Sequence, residues 1–280
     1  MPQQKQSPTG TREWAPVNYN FQLRCEHGCK YCYACANAIR FGWCPNYEEW
    51  ATKTPTINMS KVEKGWRKAK GTIMFPTTHD ITPLNLKEAI ICLGNMLKGG
   101  NDVLLVSKPH LICIQEICDK FGDYKDHILF RFTIGSTNNM TLQFWEPGAP
   151  TFDERLDALK YAYLKGFKTS VSSEPYLDAS HGQLFDYLER YINDAIWFGP
   201  INKMETRIKF HGVSFKKAKA DPRLWTEDEW RYWNLAQSVQ TEEFIKKLYQ
   251  TFHLNPKVKW KNRIKEILGL PIPKEIGLDE

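Results

Sequence analysis

Three cysteines stand close together in the run Cys25-Glu26-His27-Gly28-Cys29-Lys30-Tyr31-Cys32. Thiolates at this C-x3-C-x2-C spacing suit three corners of a cubic iron–sulfur cluster, a cofactor that ordinarily takes four protein ligands. The fourth iron is then open to a small molecule, so the spacing points to a cofactor and a reaction class together. Two other readings stay open on the residues alone. Cys35 could complete a closed cluster for electron transfer or structure, or Cys25, Cys29, Cys32 and Cys35 could hold zinc in a non-enzymatic binding module. Zinc modules usually present two separated pairs of ligands, whereas this is one crowded loop. Gly28 supplies the positive φ that a tight loop needs, and Tyr31 can cover a cluster against solvent.

The surrounding chain must hold that loop. Apolar runs at 71–76, 102–107, 128–134, 168–172 and 195–198 read as buried strands. Between them lie helical patterns at 85–97, 111–121, 153–164 and 184–192, the third with acids in its first turn and Gly166 beyond its end. One further strand before Cys25 brings the count to about six. Alternation of this kind predicts a parallel sheet covered by helices. Six strands are too few for a full eight-fold barrel, and no Gly-rich phosphate fingerprint follows the first strand, which argues against a dinucleotide-binding sheet. The expected fold is therefore α/β: a partial (β/α)6 TIM-type barrel over residues 15–202, with chemistry at the C-terminal ends of its strands. Residues 1–14 are expected to be a flexible N-terminal segment. Residues 203–280 are expected to be a helical C-terminal extension, with helices at 227–238, 242–251 and 260–268.

Composition is that of an ordinary globular protein, with 42% hydrophobic and 25% charged residues in 280. No apolar run approaches the roughly 18 residues that would span a bilayer, and the first residues are polar, unlike a secretory signal. The expectation is a cytoplasmic protein with no membrane partner. Eight cysteines in that compartment read as ligands or buried thiols rather than disulfides, and Cys92, Cys113 and Cys118 fall on apolar helix positions expected in the core. The net charge is +6. Its excess lies late, at Lys216, Lys217 and Lys219 and again at Lys257, Lys259, Lys261, Arg263 and Lys265. Such runs are ordinarily solvated faces, but Phe252 and Trp260 interleave with the second and keep a nucleic-acid partner open.

The pattern C-x3-C-x-aromatic-C, met by Cys25, Cys29, Tyr31 and Cys32, resembles the signature of the radical S-adenosylmethionine enzymes. The wider run from Val17-Asn18-Tyr19 to Tyr33-Ala34 resembles more narrowly the branch containing spore photoproduct lyase. Glu146-Pro147-Gly148-Ala149-Pro150, followed by Glu154-Arg155-Leu156 and Gly166-Phe167, is similar to that branch's segment between strands four and five. The resemblance covers roughly residues 15–202. It implies a 4Fe-4S cluster on Cys25, Cys29 and Cys32, whose open iron chelates the amino and carboxylate groups of S-adenosyl-L-methionine. One electron, from a reductant such as flavodoxin or ferredoxin, then cleaves the cofactor to methionine and a 5′-deoxyadenosyl radical that abstracts hydrogen from substrate. A nucleic-acid substrate is favoured by the branch and the basic tail, with radical modification of a peptide or small molecule as the second option.

The same resemblance assigns roles. His79, in Thr77-Thr78-His79-Asp80 after the second strand, would contact the cofactor. Lys108, after the third, would pair with the methionine carboxylate. By their place at strand ends rather than by the resemblance, Ser136 and Thr137, after the fourth strand, could bond the ribose or amino group, and Ser172, with Ser173 and Glu174 at the end of the fifth, could meet adenine or substrate. Arg155 would position the loop at Glu146. Tyr33 matches a tyrosine implicated in hydrogen transfer. One departure is informative: the lyase's hydrogen-donor cysteine falls at Thr77, and a threonine gives up a hydrogen atom less readily than a thiol. Dimer repair by the same route is therefore not expected, and Cys35 or Cys44 become alternative donors.

Overall fold

The computed structural model describes residues 10–277. Six parallel strands are hydrogen-bonded in chain order: β1 (Val17–Asn18), β2 (Ile73–Phe75), β3 (Val103–Ser107), β4 (Ile128–Thr133), β5 (Lys168–Ser173) and β6 (Ile196–Phe198). Ile73 sits opposite Val103, Val103 opposite Ile128, and Val171 opposite Ile196. All three residues of β2 and of β6 are buried, the signature of strands covered on both sides. Strands in chain order, joined by crossover helices, form the partial barrel that the alternation predicts.

Helix α1 (Tyr33–Arg40) leaves the cysteine loop. Around the sheet follow α2 (Leu86–Lys98), α3 (Leu111–Lys120), α4 (Phe152–Leu164) and α5 (His181–Leu188). In α2, Leu86, Ala89, Ile90, Leu93, Met96 and Leu97 recur at helical spacing, and all are buried. Cys92, Cys113 and Cys118 are buried in the same core. At the head of α4 the Thr151 hydroxyl accepts the Glu154 N–H at 3.3 Å, and acids occupy the first turn.

The extension supplies α6 (Met204–Arg207), a short antiparallel hairpin (Lys209–Phe210 with Val213–Ser214), α7 (Phe215–Ala220), α8 (Glu227–Ser238), α9 (Glu242–Phe252) and α10 (Asn262–Leu268). It also supplies a strand that the sequence pattern does not mark. Val258–Trp260, here β7, pairs in parallel with β6, with Val258 opposite Ile196. Three residues are too few to show a period. The open edge of β6 makes them a strand, since unpaired backbone there needs a partner. Helix α10 consequently begins at Asn262 rather than at 260. Phe144 stacks on Tyr232 with ring centroids 4.1 Å apart and joins the barrel to the extension.

Of the expected flexible segment, residues 1–9 lie outside the described residues. Residues 10–13 form a single helical turn whose Glu13 is only 4% exposed. Glu13 is held there by Lys261 at 3.1 Å and by the Asn262 N–H at 3.0 Å, which ties the front of the chain to the end of β7. Among the described residues no helix is long and apolar enough to cross a membrane.

Candidate active site at the cysteine loop

The cysteine loop folds back on itself through the Gly28 N–H to the Cys25 carbonyl (3.3 Å) and the Cys32 N–H to the Cys29 carbonyl (3.1 Å). Gly28 has φ +55°, the left-handed conformation that favours glycine. The Tyr47 hydroxyl donates to its carbonyl. From the barrel side the Glu146–Pro150 turn clamps the loop. The Gly148 N–H donates to the His27 carbonyl at 3.0 Å, and the Lys30 N–H donates to the Trp145 carbonyl at 2.9 Å. Gly148 approaches so closely that a Cβ there would run into the Glu26 carbonyl oxygen. Tyr31 donates its hydroxyl to the Glu146 carboxylate, whose other oxygen takes Arg155 Nη2 at 2.5 Å. The two segments on which the family resemblance rests are thus one physical unit. Arg155 holds Glu146, Glu146 holds Tyr31, and Tyr31 lies between two of the cysteines.

Cys25, Cys29 and Cys32 border a single cavity of about 490 Å³, together with Tyr31, Tyr33, His79, Lys108 and Ser172. Its size falls in the range of small-molecule sites. Burial pushes all three thiols above the ordinary cysteine range, so a metal is needed to draw them into the thiolate form. A four-cysteine zinc site needs its sulfurs about 4 Å apart, as Zn–S bonds near 2.3 Å require. Among the described residues, the His, Cys, Asp and Glu ligand atoms that gather within 4.8 Å in a group of three belong to Cys25, His27 and Asp80. Cys35 is buried outside the cavity wall in a small core with Cys44 and Trp50, and its N–H contacts Cys32 Sγ at 3.4 Å. The cavity therefore offers three thiols and an open side.

Asp80 organises the charge behind the cysteines. Its carboxylate accepts the Lys108 N–H at 2.8 Å and faces His27 Nδ1 at 2.8 Å and Lys108 Nζ at 3.5 Å. Burial alone would raise its pKa, but Lys108 and then His27 outweigh that and hold it well below the carboxylate range. For Lys108 burial works downward, and Asp80, Cys29, Tyr31 and Glu146 together keep it well above the lysine range. His27 is completely buried, and its Nε2 lies 3.0 Å from His110 Nε2. Burial pulls His79 down to about 4. Its Nδ1 lies 3.1 Å from the Asp80 carbonyl, while its Nε2 is buried without a partner among the described residues. A neutral ring donating from Nδ1 leaves Nε2 as an acceptor at the cavity wall.

The structure thus brings Tyr31, Tyr33, His79, Lys108 and Ser172 to the cysteines. It places Ser136 and Thr137 in a different network. Ser136 Oγ donates to Asp178 at 2.5 Å and accepts the Asn138 N–H at 2.8 Å, and Thr137 bonds Ser180 and Gln183. Neither borders the cavity. Tyr33 donates its hydroxyl to the Thr77 carbonyl, so the two positions singled out for hydrogen transfer are in contact. Asn20 fixes that turn by accepting the Thr77 and Thr78 N–H groups, each at 2.7 Å. Sequence reasoning assigned no role to Asn20, His27 or Arg207. Asn20 and His27 meet partners tens of residues away, Arg207 borders the cavity from the extension, and only His27 stands inside a recognised motif.

No family model matches the chain. The uncharacterized protein ORF301 of Acidianus two-tailed virus is 24% identical over 165 residues, which cover 56% of this chain and 54% of that protein. SuiB of Streptococcus suis bound to S-adenosylmethionine matches 92% of this chain and 53% of SuiB, at 12% identity and a TM-score of 0.53. A spore photoproduct lyase mutant with bound AdoMet and dinucleoside spore photoproduct matches 71% of this chain and 59% of the lyase, at 20% identity and a TM-score of 0.46. The chain thus spans little more than half the length of these relatives. The likeness to SuiB is one of fold, a partial barrel of parallel strands covered by helices.

Proposed function

We propose that this chain is a radical S-adenosylmethionine enzyme whose cluster is held by Cys25, Cys29 and Cys32. The observation that carries the reading is the convergence of those three thiols, an unpartnered His79 acceptor and the Lys108 ammonium on one cavity. When bound, the 4Fe-4S cluster and S-adenosylmethionine supply the one-electron cleavage that yields methionine and a 5′-deoxyadenosyl radical. The protein's own groups bind, orient and exclude water. Lys108 offers its charge to the methionine carboxylate, sharing it with Asp80. His79 Nε2 accepts from a donor on the cofactor, and Ser172 lines the wall at the end of β5. Tyr31 shields the cysteines from solvent. Tyr33 would give its phenolic hydrogen to a substrate radical, the tyrosyl radical left behind being returned to phenol by one electron from the reductant and a proton; burial keeps the phenol protonated and the Thr77 carbonyl holds it. The electron comes from a low-potential protein such as flavodoxin or ferredoxin.

Substrate classes to test are nucleic acid and, because SuiB is seen with its precursor peptide SuiA, peptide. Anaerobic reconstitution tests the cofactor directly. About four iron and four sulfide per chain, retained in Cys35→Ala and lost in Cys29→Ala, are expected. A colourless chain holding one zinc would reject the reading in favour of a non-enzymatic module.

A further inference from the structure

The cysteine loop is also packed against the extension. Lys30, between Cys29 and Cys32, places its ammonium 3.7 Å from the ring centroid of Phe144 and 5.6 Å from that of Phe210. Phe210 belongs to the hairpin of the extension. Its ring lies 5.9 Å from that of Trp145, which lies 6.4 Å from that of Tyr31. The hairpin therefore sits on the segment that carries two of the cysteines. Arg207, at the end of α6 just before the hairpin, borders the cavity together with Cys32 and Tyr33.

The outer side of this unit is strongly basic. In the first hairpin strand Phe210 is buried and Lys209 is exposed, as the alternation of a strand requires. Residues 203–219 carry Lys203, Arg207, Lys209, Lys216, Lys217 and Lys219 against one acid, Glu205, so five of the chain's net +6 charges gather here. The five lysines are exposed, and among the described residues none of them is in an ion pair. Acids close by in sequence are already engaged, Glu229 by His211 at 3.0 Å and Asp221 by Arg223 at 2.9 Å. The turn Pro222–Leu224 packs on α7 and adds an apolar contact, Leu224, which is 44% exposed. The frame is fixed from below. Phe210 lies 4.8 Å from Trp225, and Phe215 stacks on Trp233 at 4.4 Å. A rigid patch of one sign without counter-charges repels itself and favours an acidic partner.

We propose that this face, centred on Lys209, Lys216 and Lys217, is where an acidic, low-potential electron-transfer protein docks to reduce the cluster. The position argues for that occupant. Contact between the patch and the cysteine loop is made through the packed side chains of Lys30, Phe144 and Phe210, which pass an electron but not a substrate. Electron transfer weakens steeply with distance, so a carrier must settle close to the cysteines, and rim charges steer it there. The step moves one electron. The carrier's reduced iron–sulfur centre is oxidised by one electron and the cluster is reduced by one, with no bond made or broken. The docking site rests on the cluster proposed above for its purpose, and on the patch alone for its affinity.

Fluorescence anisotropy of a dye-labelled acidic ferredoxin, titrated with the cluster-loaded protein at about 50 and about 500 mM salt, reads docking directly. The wild type should bind, and more weakly at high salt. The triple variant Lys209→Glu, Lys216→Glu, Lys217→Glu should bind at least about tenfold more weakly at low salt, with the gap closing at high salt. The matching glutamine triple should lose about threefold and keep the wild-type melting temperature, which separates lost charge from lost fold. With limiting ferredoxin as reductant, 5′-deoxyadenosine formation by the glutamate triple should fall about tenfold, whereas with dithionite it should stay at the wild-type rate. Absent or salt-independent ferredoxin binding by the wild type overturns the surface, as does a glutamate triple that binds like wild type. A triple that keeps ferredoxin but loses an oligonucleotide overturns it in favour of nucleic acid. The enzymatic reading fails separately. Salt-sensitive docking by a protein that makes no 5′-deoxyadenosine even with dithionite leaves the surface and removes the enzyme; 5′-deoxyadenosine with dithionite and no ferredoxin docking does the reverse.

Discussion

Replacing Arg155 by methionine tests how the barrel holds the cysteine loop. Arg155 and Glu146 are both fully buried as an ion pair at 2.5 Å. The guanidinium also donates to the Pro150 carbonyl at 2.8 Å and the Thr133 carbonyl at 3.2 Å. Methionine fills much of the volume but leaves the Glu146 carboxylate with the Tyr31 hydroxyl as its remaining side-chain donor. Breaking one side of a buried pair costs about 3–5 kcal/mol. At roughly 2.1 cal/mol/K per residue, a chain of this length has an unfolding entropy near 0.6 kcal/mol/K, so the melting temperature should fall by roughly 5–8 °C. Because Glu146 orients Tyr31, the cluster should also be lost faster to a chelator. Anaerobic calorimetry and the bleaching rate of the cluster chromophore read both effects. The double variant Glu146→Leu, Arg155→Met removes the stranded charge and should recover at least half of the loss. A single variant melting within about 1 °C of wild type, or a double variant whose loss is the sum of the two singles, would refute the reasoning.

Other outcomes follow from the same geometry. Gly148→Ala places a methyl group against the Glu26 carbonyl and should loosen the loop, seen as cluster loss with α-helix content unchanged by circular dichroism. Lys108→Met should weaken S-adenosylmethionine binding roughly 10- to 100-fold, measured by titration of the reduced protein, since a charge-assisted bond is worth about 1.5–3 kcal/mol. His79 is neutral when folded, with its pKa lowered by burial from 6.5 to about 4. Its contribution is therefore complete above pH 6.5 and is lost as pH falls toward 4, where unfolding takes up a proton. That loss is of order 3 kcal/mol. The stability difference between wild type and His79→Gln should shrink across that window, and a difference independent of pH would contradict the assignment.

Much of the fold is legible from local signals. Helix α8 begins where the sequence pattern predicts because Thr226 and Glu229 form a complete capping box. Strand β7 is invisible for the opposite reason, since its identity comes from the edge of β6 and not from its own three residues. The site divides in the same way. The cysteines and Tyr31 announce themselves by spacing, and Gly28 by the turn it must make. Ser136 and Ser172 both follow strands and look alike in sequence. Only the folded chain shows that Ser136 is engaged by Asp178 and the turn ahead of the next helix, as serine hydroxyls readily are, while Ser172 borders the cavity. His27 and Asp80 meet across 53 residues, and Arg207 reaches the cavity from the extension. No periodicity carries such contacts.

Cys25, Cys29 and Cys32 are proposed to carry a cluster that cleaves S-adenosylmethionine. The most direct test of this is to incubate the reconstituted, dithionite-reduced protein with S-adenosylmethionine and to measure 5′-deoxyadenosine and methionine by chromatography. Both should form in equal amounts, and neither should form with Cys29→Ala. A fully loaded, reduced cluster that yields no 5′-deoxyadenosine, with or without single-stranded nucleic acid or peptide present, would contradict it.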